Sequence, residues 1–255
     1  MLSLQEGEPI AIIESGKYKG ELIGLVKDEE NSEDSSEELC GTREIYLKKD
    51  TLSPVLSANE RQVGYIAGPS GSGKSFYASK LIKMFKKMFP KKDIYLFSRT
   101  DYKDDPAYKK LKPIQIELDE SLIDDPIDIT EIQGGSLIIF DDCNTIPDTR
   151  IKKVVDALIC DIMEVGRKLG IWIILTNHLV NPNEKKFART VMNEMQSFTF
   201  FPKSGSAYQI KYCLKNYFGM SKEQIEKIMR LKSRWVTVLK NYPQCVLYKH
   251  GVYLI

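Results

Sequence analysis

The sequence predicts an α/β fold with a central, mostly parallel sheet, preceded by a small β-rich segment. Three observations predict it. From Arg61 onward, short apolar runs alternate with amphipathic ones, the pattern of strands and helices wound into a parallel sheet. The octapeptide GPSGSGKS, residues 68–75, falls between the first of these strands and the first of these helices. A second apolar run, Leu137, Ile138, Ile139 and Phe140, ends in two adjacent carboxylates, as a strand covered on both faces would.

In chain order, residues 9–27 read as a hairpin. Ile10, Ile12 and Ile13 precede a turn at Gly16, and Leu22, Ile23 and Leu25 follow it. Residues 28–38, DEENSEDSSEE, are acidic, lack large apolar side chains and read as a solvated loop. Another strand is expected over 44–47. These elements place a small β appendage at 1–60 and the main domain at 61–255. Within the latter, strands are expected at 62–67, 93–98, 114–117, 136–141, 171–176 and 197–201. Helices are expected at 74–89, 149–169, 183–195, 206–217 and 222–231. Pro90 stops the first helix, and Ser221 with Gln224 forms a capping box for the last. Residues 235–239 and 245–248 read as a terminal strand pair.

Composition narrows the classes of function. At 42% hydrophobic residues the chain can bury a sizeable core, and no run of about 18 apolar residues is present to span a membrane. The opening MLSLQEGEPI lacks the basic-then-apolar order of a secretory leader. The five cysteines are scattered and never form C-x-x-C, which argues for a reducing compartment and against a thiolate metal site. With only His178 and His250, imidazole-based zinc or triad chemistry is not expected. The net charge of +2 hides an asymmetry. Residues 1–60 carry six basic against fourteen acidic side chains, whereas from Pro202 onward ten basic residues face only Glu223 and Glu226.

The octapeptide fits G-x-x-x-x-G-K-[ST] at every specified position. Strand, glycine-rich loop and helix N-terminus together make a phosphate cradle. Gly68, Pro69, Ser70, Gly71, Ser72, Gly73, Lys74, Ser75 and Phe76 form the expected nucleotide-binding stretch. Gly71 and Gly73 allow the backbone to curl with its N–H groups inward. Lys74 would reach the β- and γ-phosphates of ATP, and the Ser75 hydroxyl would hold Mg²⁺. Asp141 is placed to hold the same cation, and Asp142 to polarise the attacking water. The run ending in Thr176, Asn177 and His178 supplies polar groups beside these carboxylates. Asn177 is the first candidate to sense the γ-phosphate and His178 the second, with a plain turn cap as the alternative for His178. Arg167, just before that strand, is the first candidate for an arginine finger. Arg99, Arg150 and Arg189 are rivals, and a helix-dipole role is the plain alternative for each.

Taken together, GPSGSGKS, then IIFDDC, then a helix ending GRK before IIILTN-type residues resembles the HerA/FtsK superfamily. Within it, the chain most resembles the genome-packaging ATPases of poxviruses and other large double-stranded DNA viruses. That branch tends to show G-R-H before the sensor strand, where this chain has Lys168, and often glutamine at the sensor, where this chain has Asn177 and His178. The resemblance covers about 61–255. It implies a RecA-like P-loop NTPase core, ATP and Mg²⁺ as cofactors, and a homo-oligomeric ring. It also implies sequence-independent double-stranded DNA and capsid, portal or vertex proteins as partners, in a viral factory of the host cytoplasm or associated with the virion. Two other readings stay open: a P-loop kinase acting on a small molecule, with 99–113 as its lid, and a nucleotide-dependent scaffold.

The basic C-terminal third fits the first reading. Lys203, Lys211, Lys215, Lys222, Lys227, Arg230, Lys232 and Arg234 are expected to meet DNA phosphates. The interleaved Tyr208, Tyr212, Tyr217 and Trp235 read mainly as core.

Overall fold

A computed structural model of the chain describes residues 1–26, 42–57, 60–180, 185–240 and 242–255. The acidic stretch expected at 28–38 lies outside the described residues.

The main sheet has ten strands. Six are parallel: β6 (Val63–Ala67), β7 (Ile94–Ser98), β8 (Ile114–Ile116), β9 (Leu137–Asp141), β10 (Trp172–Asn177) and β11 (Ser197–Phe200). Their spatial order is β11-β6-β10-β9-β7-β8. All six fall where strands were expected. Beyond β11 the sheet continues antiparallel through β12 (Val236–Leu239), β13 (Cys245–Tyr248), β14 (Gly251–Leu254) and β4 (Glu44–Tyr46). The expected terminal pair is therefore the start of an antiparallel extension, and the strand read at 44–47 is its edge. A smaller sheet holds β1 (Leu2–Ser3), β3 (Leu22–Leu25), β2 (Glu8–Ile13) and β5 (Leu52–Pro54) in that order. One core runs across residue 60: Ile13, Ile23 and Leu52 pack with Cys245, Leu247 and Val252.

Side-chain alternation along the parallel strands sorts their residues onto two buried faces. On one face, Ile66, Leu137, Ile139, Trp172 and Ile174 pack under helix α1 (Lys74–Met88) through Tyr77, Leu81, Ile82 and Phe85. On the other, Tyr65, Ile138, Phe140, Ile173 and Leu175 meet α3 (Thr149–Glu164), α5 (Ala207–Phe218) and α6 (Lys222–Met229). A short α2 (Ser121–Asp124) and α4 (Lys185–Glu194) complete the helices. Burial on both faces explains the unbroken apolar runs of β9 (Leu137 to Phe140) and β10 (Trp172 to Leu175). Truncating a fully enclosed ring such as Phe85 or Phe140 would cost about 3–5 kcal/mol.

The capping box of α6 forms as expected, with Ser221 Oγ accepting from Gln224 N–H and Gln224 Oε1 accepting from Ser221 N–H. Helix α3 ends at Glu164, five residues before the end read from the sequence. Gly166 closes a tight turn there, and a Cβ at that position would stand 2.3 Å from the Ile162 carbonyl. Arg61 caps the freed carbonyls, its guanidinium donating to Ile162 O, Met163 O and Ile171 O. This ties the end of α3 to the start of β10.

Candidate functional site

The site forms at the carboxyl ends of β6, β9 and β10, where parallel sheets bind their ligands. Chain geometry there follows from glycine. Gly71 and Gly73 take φ of +73° and +108°, in the left-handed region that favours glycine. A Cβ on Gly68 would sit 2.7 Å from the Phe201 ring, so the loop can pass only without one. Arg234, two residues before β12, braces the loop by donating to the carbonyls of Ser72 (3.0 Å) and Gly71 (3.3 Å). That leaves the N-terminal end of α1 facing the carboxylates.

Lys74 is buried, and its ammonium stands 3.5 Å from Asp142 Oδ2. Strand alternation alone would send Asp142 to the face opposite Asp141. A left-handed backbone at Asp142 (φ 49°) turns its side chain toward Lys74 instead, a conformation that costs a non-glycine residue energy and concentrates at functional sites. The same Oδ2 also meets His178 Nε2 at 3.0 Å. Oδ1 is buried without a hydrogen-bond partner among the described residues, and so is Ser72 Oγ.

Asp141 occupies the α1 face of the sheet. Its Oδ1 accepts from Thr176 Oγ1 at 2.6 Å and from Tyr108 Oη at 2.9 Å. Burial pushes the Asp141 carboxyl above its usual range, the neighbouring Asp142 adds to this, and the hydrogen bonds from Thr176 and Tyr108 oppose it. Tyr108 is also within hydrogen-bond reach of the Ser75 side chain, and burial first, then Asp141, raises its phenol well above the usual value.

Of the candidate sensors, Asn177 turns away. It lies on the face of Tyr65, and its amide donates to Tyr65 Oη at 3.1 Å. Thr176, paired in register with Asp141, reaches the carboxylates instead, and it also accepts from the Asp142 N–H at 3.1 Å. The expectation for Asn177 is therefore corrected by one residue: the strand's two-residue period puts Asn177 and Asp141 on opposite faces. His178, past the end of the strand, does reach Asp142.

Arg167 is exposed in the turn between α3 and β10, at the amino ends of the parallel strands. Lys74 and Asp142 lie at their carboxyl ends, so Arg167 is not part of its own chain's cradle. Arg150 pairs with Asp148 and Glu120, and Arg99 donates to Thr145 O.

Thr176, Tyr108 and Arg234 are the site residues the motifs did not single out for these contacts. Strand register beside Asp141 was the available signal for Thr176. For Tyr108 there was none, because the irregular 101–112 segment has no period to read.

These groups fit a nucleotide with a divalent cation. The loop offers backbone N–H groups, and Lys74 offers a buried ammonium. Ser75 and Asp141 offer hard oxygens suited to Mg²⁺, while the two orphaned oxygens mark where further hydrogen bonds belong. Among the described residues no cluster of three or more His, Cys, Asp or Glu could hold a metal by itself.

The C-terminal basic residues divide into groups. Lys211, Lys215 and Lys222 line a groove between α5 and α6 together with Tyr208 and Tyr212. Those two rings are 78% and 42% exposed, which corrects their assignment to the core. Lys203, Lys232 and Arg234 gather with Lys249 beside the glycine loop. Lys227 pairs with Glu44, and Arg230 with Glu226.

Comparison with known proteins places this geometry. The chain is 40% identical over 247 residues to the uncharacterized protein V3 of Sputnik virophage, covering 97% of this chain and 95% of that one. The chain belongs to the V3 family. No protein-family model matches it. Its fold is that of the DNA-packaging ATPase B204 from Sulfolobus turreted icosahedral virus, with a TM-score of 0.53 at 17% identity over 75% of this chain and 98% of B204. The fold also matches the conjugation coupling protein TcpA of pCW3, described in a form with ATPγS, with a TM-score of 0.50 at 13% identity over 95% of this chain and 76% of TcpA. The α/β fold with a large, mostly parallel central sheet, which the sequence predicted, is thus one that this V3-family chain shares with P-loop NTPases. Among the described residues no helix is long and apolar enough to cross a membrane.

Proposed function

We propose that this V3-family protein is an ATPase that drives double-stranded DNA into a viral capsid. The observation that carries the ATPase reading is the meeting of Lys74 with Asp142 at the mouth of a glycine-rich loop, while one Asp142 oxygen remains unpartnered. In this reading the phosphates of ATP lie along the N–H groups of 68–76. Lys74 leaves Asp142 for the γ-phosphate, where its charge stabilises the negative charge of the transition state. Asp142 Oδ1 accepts a hydrogen bond from the attacking water and orients it in line with the leaving oxygen. His178 holds the other oxygen of Asp142 in place. Thr176 fixes Asp141 and the Asp142 backbone together. Ser75 and Asp141 hold Mg²⁺, which when bound neutralises charge on the phosphate oxygens.

Arg167 lies at the wrong end of the sheet to serve its own site, which supports a role, if it is a finger, in the site of a neighbouring copy within a ring. The DNA part of the reading rests on the likeness to B204, which is a DNA-packaging ATPase, on the viral source of V3, and on the lysine groups of the C-terminal third. Such a motor acts with capsid or portal proteins in a viral factory. Phosphate release measured with and without duplex DNA of unrelated sequences tests the proposal. Stimulation by every duplex is expected. Robust hydrolysis indifferent to DNA would remove the motor while leaving the ATPase.

A further inference from the structure

Beside the glycine loop, on the side of α1 away from Asp141 and Asp142, lies a cavity of about 260 Å³. Gly73 and Phe76, which flank Lys74 and Ser75, line its near end, so it is continuous with the phosphate cradle. Its walls are mostly apolar, with the aromatic side chains of Phe76 and Trp235 among them. Phe76 is 67% exposed, unusual for a large apolar ring in the first turn of a helix that is otherwise well packed. The far wall comes from the N-terminal sheet and is polar. There Ser53 Oγ donates to Glu14 Oε1 at 2.6 Å, and Lys80 Nζ donates to Glu14 Oε1 at 3.0 Å and to Ser53 Oγ at 3.0 Å. Glu14 Oε2 receives only a longer contact from Lys80, at 3.2 Å. Burial opposes ionisation of Glu14, yet the hydrogen bonds from Ser53 and Lys80 outweigh it and hold the carboxyl below its usual range.

A mostly apolar cavity with two aromatic side chains in its lining and an adjacent acceptor and donor in one wall suits a heteroaromatic ring whose edge carries an amino group next to a ring nitrogen. We infer that this cavity receives the adenine of ATP, with Phe76 and Trp235 against its faces, Glu14 accepting from its amino group and Lys80 donating to its ring nitrogen. The inference rests on the nucleotide reading of the glycine loop, and it gives the N-terminal sheet a role, since that sheet supplies the group that reads the base.

The test compares binding of ATP and of inorganic tripolyphosphate, which lacks base and sugar, in Mg²⁺ by calorimetry. Wild type is expected to prefer ATP by about tenfold or more. Phe76→Ala, which removes a stacking face, and Glu14→Ala, which removes the acceptor, should each cut that preference by about fivefold. Tripolyphosphate binding should be unchanged in Glu14→Ala, which also verifies that this variant is folded, and circular dichroism checks the fold of Phe76→Ala. Glu14→Gln keeps an acceptor oxygen and should retain most of the preference. An ATP preference untouched by both alanine variants overturns the base site. So does wild type that binds tripolyphosphate as tightly as ATP, with the phosphate cradle left standing. Wild type that binds neither overturns the cradle, and this site with it.

Discussion

Asp142 Oδ2 lies 3.0 Å from His178 Nε2 and 3.5 Å from Lys74 Nζ, while its Oδ1 is buried with no hydrogen-bond partner among the described residues. One oxygen is anchored and the other is free to accept, which is how a carboxylate that orients water should be held. Asp142→Asn keeps the shape and exchanges a charged acceptor for a neutral amide. It should bind ATP as wild type does and hydrolyse it roughly 10²-fold more slowly. Single-turnover phosphate release read beside nucleotide binding separates the two effects. Equal turnover in wild type and variant would make Asp142 a turn residue only.

Asp141 gives a prediction of opposite sign for stability. Its carboxyl is held above the usual value of 3.8 by burial and by Asp142. Ionising it therefore costs the folded protein free energy. That cost is absent below the unfolded pKa, grows as pH rises from there through the folded pKa, and is full above it. Asp141→Asn can still accept from Thr176 and Tyr108. Without nucleotide at neutral pH it should melt higher than wild type, by on the order of a few degrees, with the gap closing in acid. It should also lose Mg²⁺-dependent hydrolysis. Thermal melts across pH read the first effect, and an unchanged or lower Tm would contradict it.

Much of this site was legible because two periodicities and one motif determine it. GPSGSGKS sits between strand and helix in the sequence as in the structure. The apolar run before Asp141 identified β9, since a strand covered on both faces has no polar positions to interrupt it. The Asn177 expectation failed on a parity that was itself readable. Paired strands keep one face in register, so the partner of Asp141 had to be Thr176. The orientation of Asp142 was not readable, because it depends on a left-handed residue whose energy is offset by tertiary contacts with Lys74 and His178. Tyr108 and Arg234 reach the loop from segments 33 and 162 residues distant from their partners Asp141 and Ser72, a separation that no local pattern encodes. The edge position of β4 was equally hidden, since three residues carry too little alternation to name a partner.

Arg167 supplies a prediction about assembly. It stands at the amino end of the sheet, away from its own Lys74. If it completes a neighbour's site, Arg167→Ala should lower turnover by roughly 10³-fold or more. Mixing that variant with Lys74→Ala should recover activity, because mixed interfaces pair an intact loop with an intact arginine. Mixed rings, confirmed by native mass spectrometry, that show no activity above either parent would exclude the trans role.

The exposed Tyr208 and Tyr212 between Lys211, Lys215 and Lys222 make this groove the first place to look for DNA contact. Phosphate contacts release counterions, so log affinity should fall with log salt at a slope of roughly −0.9 per phosphate neutralised. Replacing Lys211, Lys215 and Lys222 by Gln should flatten that slope and reduce DNA-stimulated hydrolysis, leaving DNA-free hydrolysis unchanged. A slope that does not move would shift the DNA surface to Lys203, Lys232 and Lys249 beside the loop.

Whether the glycine-rich loop and its lysine bind and hydrolyse ATP is read out by phosphate release from Lys74→Ala beside wild type, both with Mg²⁺ and saturating ATP. Lys74 is buried against Asp142, so circular dichroism should first establish that the variant keeps its fold. Wild type should hydrolyse ATP, and the folded variant should do so roughly 10²–10³-fold more slowly. Phosphate release by the folded Lys74→Ala protein at the wild-type rate would mean that the glycine-rich loop is not an ATP-hydrolysing site.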